Sequence, residues 1–76
     1  MSTSILIIED EKAIREMIRF ALQREGHAVL EAADAKDASE ILASSRPDIM
    51  IIDWMLPDIS GIELLRRYRR DEVVRD

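Results

Sequence analysis

Glu9, Asp10 and Asp53 are the side chains in this sequence whose types and spacing best fit them for chemistry. Ile5-Leu6-Ile7-Ile8 leads straight into Glu9-Asp10, and Ile49-Met50-Ile51-Ile52 leads straight into Asp53. Short, uniformly apolar runs that stop abruptly at charge read as buried strands whose carboxyl ends emerge into water. In open parallel α/β sheets, ligands collect at that rim, where the strand order reverses. If the two strands are neighbours, three carboxylates converge there. Like charges that close repel strongly unless a cation lies among them. The sequence has no cysteine and one histidine, His27, at the start of a different segment, where it reads as plain surface. Oxygen-only ligands suit a hard ion, and Mg²⁺ prefers a few carboxylates completed by waters. Any one of these acids has an ordinary explanation, since strand ends often carry carboxylates that meet water or cap the next helix. The three together, on two apolar strands, point to a magnesium site.

The elements that must position them follow from periodicity. From Lys12 to Glu25 the pattern turns helical, with Ala13, Ile14, Met17, Ile18, Ala21 and Leu22 on one stripe and Arg15, Glu16, Arg19 and Gln23 off it. Gly26 supplies the stop. His27 to Ala32 reads as a second, weaker strand. Asp34 is a good cap for a helix beginning near Ala35, whose inward positions are Ala35, Ala38, Ile41 and Leu42 and which ends over Ser44-Ser45-Arg46-Pro47. Asp48 to Asp53 is the third strand, followed by a loop around Pro57. Ser60-Gly61-Ile62-Glu63 fits a capping box, and the third helix should face inward through Ile62, Leu65 and Tyr68 and end near Asp71. Asp34, Asp37, Asp58 and Asp71 read as caps or solvated charges.

The βαβαβα alternation implies an α/β fold with a parallel sheet and right-handed crossovers. The first and third strands read as covered on both faces, and the mixed second strand suits an edge.

Composition sets the outer bounds. At 76 residues the chain suffices for one small domain. Its aromatic content of 4% makes the core aliphatic. The N-terminus has neither a basic flank nor a long apolar run, so no signal peptide is expected, and no run is long enough to span a membrane. A cytoplasmic protein is the default expectation. The formal net charge of −5 does not attract nucleic acid by its overall field. The local exception, Arg66-Arg67-Tyr68-Arg69-Arg70, reads as a solvated helix face with Glu63 supporting Arg66 and Arg67.

Ile5-Leu6-Ile7-Ile8-Glu9-Asp10-Glu11 resembles the first strand and acidic pair of bacterial response-regulator receiver domains, the CheY-like superfamily. Asp48-Ile49-Met50-Ile51-Ile52-Asp53-Trp54-Met55-Leu56-Pro57 resembles their third strand and phosphoacceptor loop, and Ser60-Gly61-Ile62-Glu63-Leu64 the start of their third helix. Asp-Trp-Met-Leu-Pro, with Ile14-Arg15-Glu16-Met17, is most similar to the OmpR/PhoB-type transcriptional regulators, including those of the phosphate regulon. The resemblance runs along essentially the whole chain, residues 1–76.

The resemblance implies a flavodoxin-like, doubly wound sheet with strand order 2-1-3, here truncated after three βα units. It implies that Asp53 takes a phosphoryl group from the phosphohistidine of a sensor histidine kinase. It implies that Asp10 binds Mg²⁺ directly and Glu9 through water or weakly, with the Met55 backbone carbonyl completing the protein ligands. Pro57 would shape the loop, and Gly61 would let the third helix start close to it. The output would be control of transcription.

Receiver domains of this family have five strands and five helices, and the present sequence reaches the loop before a fourth strand at Val73-Val74-Arg75-Asp76. The phosphoryl-contacting Ser or Thr, the charge-neutralising Lys, the dimerising surface of the last elements and any C-terminal DNA-binding domain are therefore expected outside it. Each lost charge contact is worth about 2–4 kcal/mol in a transition state, so phosphotransfer by these residues alone should be impaired. The third strand should become an exposed apolar edge, and self-association is expected through that edge or through the exposed face beside the first helix. Two other readings compete. One is an inactive half-domain that acts only as a folding or assembly unit. The other is a magnesium-dependent aspartyl phosphohydrolase, which needs a second acid two residues after the nucleophile; Met55 stands there and cannot transfer a proton.

Overall fold

An apolar run this uniform stays folded only if both of its faces are covered, and Ile5-Leu6-Ile7-Ile8 is buried throughout. It forms β1 (Ser4–Ile8), the central strand of a three-stranded parallel sheet in a computed structural model that describes residues 3–72. The Val73–Asp76 stretch, expected as a loop, and the side chains of Arg70 and Asp71 lie outside the described residues. The other elements are α1 (Lys12–Arg24), β2 (Ala28–Ala32), α2 (Ala35–Ser44), β3 (Ile49–Ile52) and α3 (Gly61–Glu72). The sheet order is β2-β1-β3, as the resemblance implies, and all strands run parallel, as the alternating pattern implies. Register pairs Ile8 with Ala32 on one side and with Ile52 on the other, so β1 and β3 end side by side. The Ser4 N–H donates to Asp48 Oδ2 at 2.8 Å, pinning the opposite end of the β1–β3 pair.

Side chains alternate across a strand, so the sheet has two unlike faces. Leu6, Ile8, Leu30, Ala32, Met50 and Ile52 pack with Ala35, Ala38, Leu56 and Leu64 into the main core beneath α2 and α3. The other face carries Ile5 and Ile7 of β1 and is served by α1, which lies over β1 and β2. Ile49 and Ile51 of β3 lie on that second face and stay 49% and 37% exposed. The expectation that β3 is covered on both faces is therefore corrected: one face meets the core, the other meets water.

Two helices are rotated from the expected faces. In α1 no residue is fully buried; Ile14, Ile18 and Leu22 are half-buried, whereas Ala13, Met17 and Ala21 of the expected stripe point to solvent together with Phe20. Arg15 and Arg19, expected off the stripe, are half-buried because both bond to Glu31 in β2. In α3 the inward residue is Leu64, while Ile62 is exposed and Leu65 and Tyr68 are half-buried.

The caps follow local chemistry. Gly26, at φ 89°, ends α1; its N–H donates to the Gln23 carbonyl and the His27 N–H to the Leu22 carbonyl, the paired closure that needs a left-handed residue. His27 is half-buried rather than plain surface. Asp34 caps α2, accepting from the Asp37 N–H at 2.8 Å. Ser60 Oγ accepts from the Glu63 N–H at 3.1 Å, one arm of the expected capping box. The Glu63 carboxylate turns instead to Arg66 and Arg67, at 3.2 and 3.1 Å, so the basic run is partly neutralised as a solvated helix face.

Candidate functional site

Because β1 and β3 end together, the residues that follow them share one rim of the sheet. Glu9, Asp10 and Asp53 each bring a carboxylate oxygen there, all within 4.8 Å of one another. Main-chain bonds hold the acids in place. The Glu9 N–H donates to the Ala32 carbonyl at 3.0 Å and the Asp53 N–H to the Ile8 carbonyl at 2.8 Å, extending the ladders one residue past the strands. Glu9 Oε2 accepts from the Glu11 N–H at 3.0 Å. Asp53 Oδ1 accepts from the Met55 N–H at 3.3 Å. Asp10 is exposed, and Glu9 and Asp53 are half-buried.

The loop after β3 is held from behind. The Gly61 N–H donates to the Trp54 carbonyl at 3.0 Å, and Met55 bridges antiparallel to Ser60. Leu56 is buried and anchors the loop in the core, while the Trp54 and Met55 side chains are exposed. A Cβ on Gly61 would overlap the Asp53 carbonyl oxygen and come within 2.8 Å of Ile52 Cγ2. Only glycine allows α3 to start this close to the Asp53 backbone.

The electrostatics are those of a crowded anionic pocket. The Glu11 N–H favours the ionised form of Glu9, yet partial burial and the neighbouring Asp53 and Asp10 outweigh it, so the Glu9 carboxyl lies above the ordinary glutamate value. The donor set is all oxygen, which suits a hard cation. Oxygens opposite one another around an octahedral Mg²⁺ lie about 4.2 Å apart. Oxygens within 4.8 Å of one another can meet around one ion once the carboxylates draw in, or with a water on one of them. The residues fit magnesium.

Two residues that the sequence reading left aside also belong here. Arg15 Nη1 donates to the Glu9 carbonyl at 2.7 Å. Asp58, read as a cap or a solvated charge, is a cap for a distant helix: its carboxylate accepts from the N–H groups of Ala35 and Lys36, both at 3.0 Å, tying the loop after β3 to the start of α2. The Ala35 N–H, with those of Lys36 and Ile59, overcomes partial desolvation and holds the Asp58 carboxyl below the ordinary aspartate value. A signal for Arg15 was present in the sequence. It stands six residues after Glu9, in the first turns of the helix that follows the acidic pair, and Glu31 is an acid in an otherwise apolar β2.

Three parallel strands ordered 2-1-3, three helices and an acidic rim define a CheY-like receiver fold. The chain belongs to the response regulator receiver domain family, whose model matches residues 5–75. It is 48% identical over 73 residues to the phosphate regulon transcriptional regulatory protein PhoB of Pseudomonas aeruginosa, covering 96% of this chain and 32% of that protein. It is 41% identical over 76 residues to PhoB of Escherichia coli, covering 100% of this chain and 33% of that protein. The chain thus spans about one third of the length of the curated relatives it matches. Among solved structures, CheY4 of Vibrio cholerae superposes with a TM-score of 0.91 at 29% identity, covering 95% of this chain and 60% of that one. The response regulator TrrA of Thermotoga maritima, solved in complex with Mg²⁺-BeF, superposes with a TM-score of 0.87 at 33% identity, covering 96% and 63%. Among the described residues, no helix is long and apolar enough to cross a membrane.

Proposed function

We propose that Asp53 is the phosphoacceptor of a two-component response regulator, served by Mg²⁺ held between Glu9, Asp10, Asp53 and the Met55 backbone carbonyl. The observation that carries this reading is the convergence of the three carboxylates at one rim of a receiver-family sheet. A carboxylate oxygen of Asp53 attacks the phosphorus of a donor in line. The bond from phosphorus to the donor's imidazole nitrogen breaks, and an acyl phosphate forms on Asp53 while the imidazole leaves. A bound Mg²⁺ supplies charge neutralisation for the phosphoryl oxygens. Asp10 offers an exposed carboxylate for direct contact, and Glu9, half-buried and tied to the Glu11 N–H, suits contact through water. The donor is a sensor histidine kinase, the setting is the cytoplasm, and the output, through a DNA-binding domain outside these residues, is control of transcription. Support comes from the likeness to phosphate regulon regulators. We place residues 1–76 as the first three βα units of a receiver domain, in keeping with the 60% of CheY4 that they cover.

The test is titration of the 76-residue chain with MgCl₂, followed by Trp54 fluorescence, and then incubation with a small-molecule phosphodonor and intact-mass analysis. Trp54 adjoins Asp53 and is exposed, so it reports on the pocket. The reading requires a Mg²⁺ response that Asp10→Asn abolishes, and slow phosphorylation that Asp53→Asn abolishes. No Mg²⁺ response, or a phosphoryl group on another residue, overturns it. Rapid, stoichiometric phosphorylation overturns only the expected impairment.

A second reading concerns the chain by itself and rests on the exposure of Ile49 and Ile51 along β3. We propose that copies of the 76-residue chain associate through this edge, as an assembly unit independent of phosphotransfer.

A further inference from the structure

Arg15 is the most enclosed cation beside the acidic rim. Its side chain is 17% exposed, although it sits on α1, a helix with no fully buried residue. The guanidinium makes two contacts in different directions. Nη1 donates to the Glu9 main-chain carbonyl at 2.7 Å, short for a bond to a neutral acceptor and assisted by the charge. Nε faces Glu31 Oε1 at 3.4 Å, and Glu31 Oε2 in turn receives Arg19 Nη1 at 3.0 Å. Glu31 stands in register with Ile7, so it is anchored on β2 beside the central strand.

The Glu9 carbonyl belongs to the peptide that joins Glu9 to Asp10, the two acids contributed by β1. That peptide lies just beyond the last β1 residue, Ile8. Arg15 therefore grips the hinge from which two of the three carboxylates project, and Glu31 holds Arg15. From this geometry we infer that Arg15 is a positioning residue for the Mg²⁺ site: it sets the Glu9–Asp10 peptide so that both carboxylates share one rim with Asp53. The inference rests on the metal reading proposed above. A guanidinium near a cation also opposes it by charge, with Glu31 offsetting that charge. Positioning and field thus act in opposite directions on Mg²⁺ affinity, and the sign of the change separates them.

The experiment is MgCl₂ titration by Trp54 fluorescence on the 76-residue chain, its Arg15→Met, Arg15→Lys and Glu31→Gln variants, with circular dichroism confirming the fold of each. Outer partners of metal ligands commonly change affinity about 10- to 100-fold when removed. Arg15→Met, which keeps the apolar stem and loses the donor, should weaken Mg²⁺ binding about tenfold or more. Arg15→Lys keeps the charge but spans the two partners less well, and should fall between wild type and Arg15→Met. Glu31→Gln leaves the bond to Glu9 in place and should weaken binding less than Arg15→Met. Wild-type or tighter affinity in Arg15→Met overturns the inference. Should that variant not fold, Arg15→Lys decides: reduced affinity supports positioning, and unchanged affinity overturns it. A wild-type chain with no Mg²⁺ response overturns the metal reading and this inference together, whereas a wild-type response unaltered by Arg15 variants overturns this inference alone.

Discussion

The Cα of Gly61 faces the carbonyl oxygen of Asp53 so closely that no side chain fits between them. Alanine elsewhere at the start of a helix improves stability, since glycine costs about 1 kcal/mol relative to alanine inside one. Here the added methyl would overlap main-chain atoms that cannot step aside. The clash should outweigh the gain in propensity and cost about 1–3 kcal/mol net, the usual range for forced overpacking. Urea unfolding of Gly61→Ala should show the lower midpoint. Because the obstacle is the Asp53 backbone, the variant should also weaken the Mg²⁺-dependent Trp54 signal. A midpoint at or above wild type would show that α3 can move back freely.

The acidic rim should itself destabilise the metal-free fold. Two unit charges about 4 Å apart repel by about 1 kcal/mol even at the dielectric of water, and the Glu9 carboxyl is raised by partial burial and then by that crowding. Asp53→Asn removes one charge and retains the size of the side chain. It should raise the thermal midpoint in chelator by the equivalent of about 1 kcal/mol. Added MgCl₂ should stabilise wild type and have far less effect on Asp53→Asn, because ligand binding stabilises only the state that binds. An unchanged midpoint in chelator would mean that water screens the three acids almost completely.

The fold was legible in the residues to a large extent, and the rest shows where periodicity loses its force. β1, the Asp34 cap, the glycine stop at Gly26 and the acids at two strand ends follow from apolar runs and cap chemistry, whereas the 2-1-3 order that brings Glu9, Asp10 and Asp53 together is implied only by the family resemblance. The rotation of α1 did not. Met17 is apolar and lies on the expected stripe, yet α1 lies over β1 and β2 and leaves it in water. Arg15 and Arg19 took the half-buried positions because Glu31 waits on β2, a pairing across sixteen and twelve positions that no local pattern displays. In α3 the same limit applies: Ile62 and Leu64 are equally apolar, and only the position of the core beneath β1 and β3 selects Leu64. Asp58 reads as one more loop acid, because the helix it caps lies more than twenty residues earlier.

Asp58 should carry part of the acid sensitivity of the fold. Its carboxyl lies below the ordinary aspartate value of 3.8, first through the Ala35 N–H and then through those of Lys36 and Ile59. A carboxylate with a depressed folded-state pKa adds stability that is present above the unfolded value and lost as pH falls through the folded one. The contribution is therefore intact at neutral pH and fades below 3.8. Asp58→Asn should lower the urea midpoint at neutral pH, and the gap to wild type should close as the pH is taken below that value. A gap that stays constant with pH would assign the effect to packing instead of to charge on the α2 N-terminus.

The β3 edge supplies the last test. Ile49 and Ile51 expose apolar surface on the sheet face away from α2 and α3, and in the order β2-β1-β3 one long side of β3 has no strand beside it among the described residues. An edge that is apolar, regular and uncharged between Asp48 and Asp53 is a template for pairing with another chain. Sedimentation of the 76-residue chain should therefore show dimers or larger species that dissociate on dilution. Ile51→Lys places a charge in the middle of the edge strand, on its exposed face, where it opposes strand addition, and should shift the population to monomer. Ile51 lies outside the main core and is 37% exposed, so the loss of stability should be smaller than for a core isoleucine. A monomer at all concentrations in wild type, or association unaffected by Ile51→Lys, would remove β3 as the interface. If association proceeds through β3, it should also be indifferent to Asp53→Asn, since that residue's carboxylate faces the acidic pocket with Glu9 and Asp10.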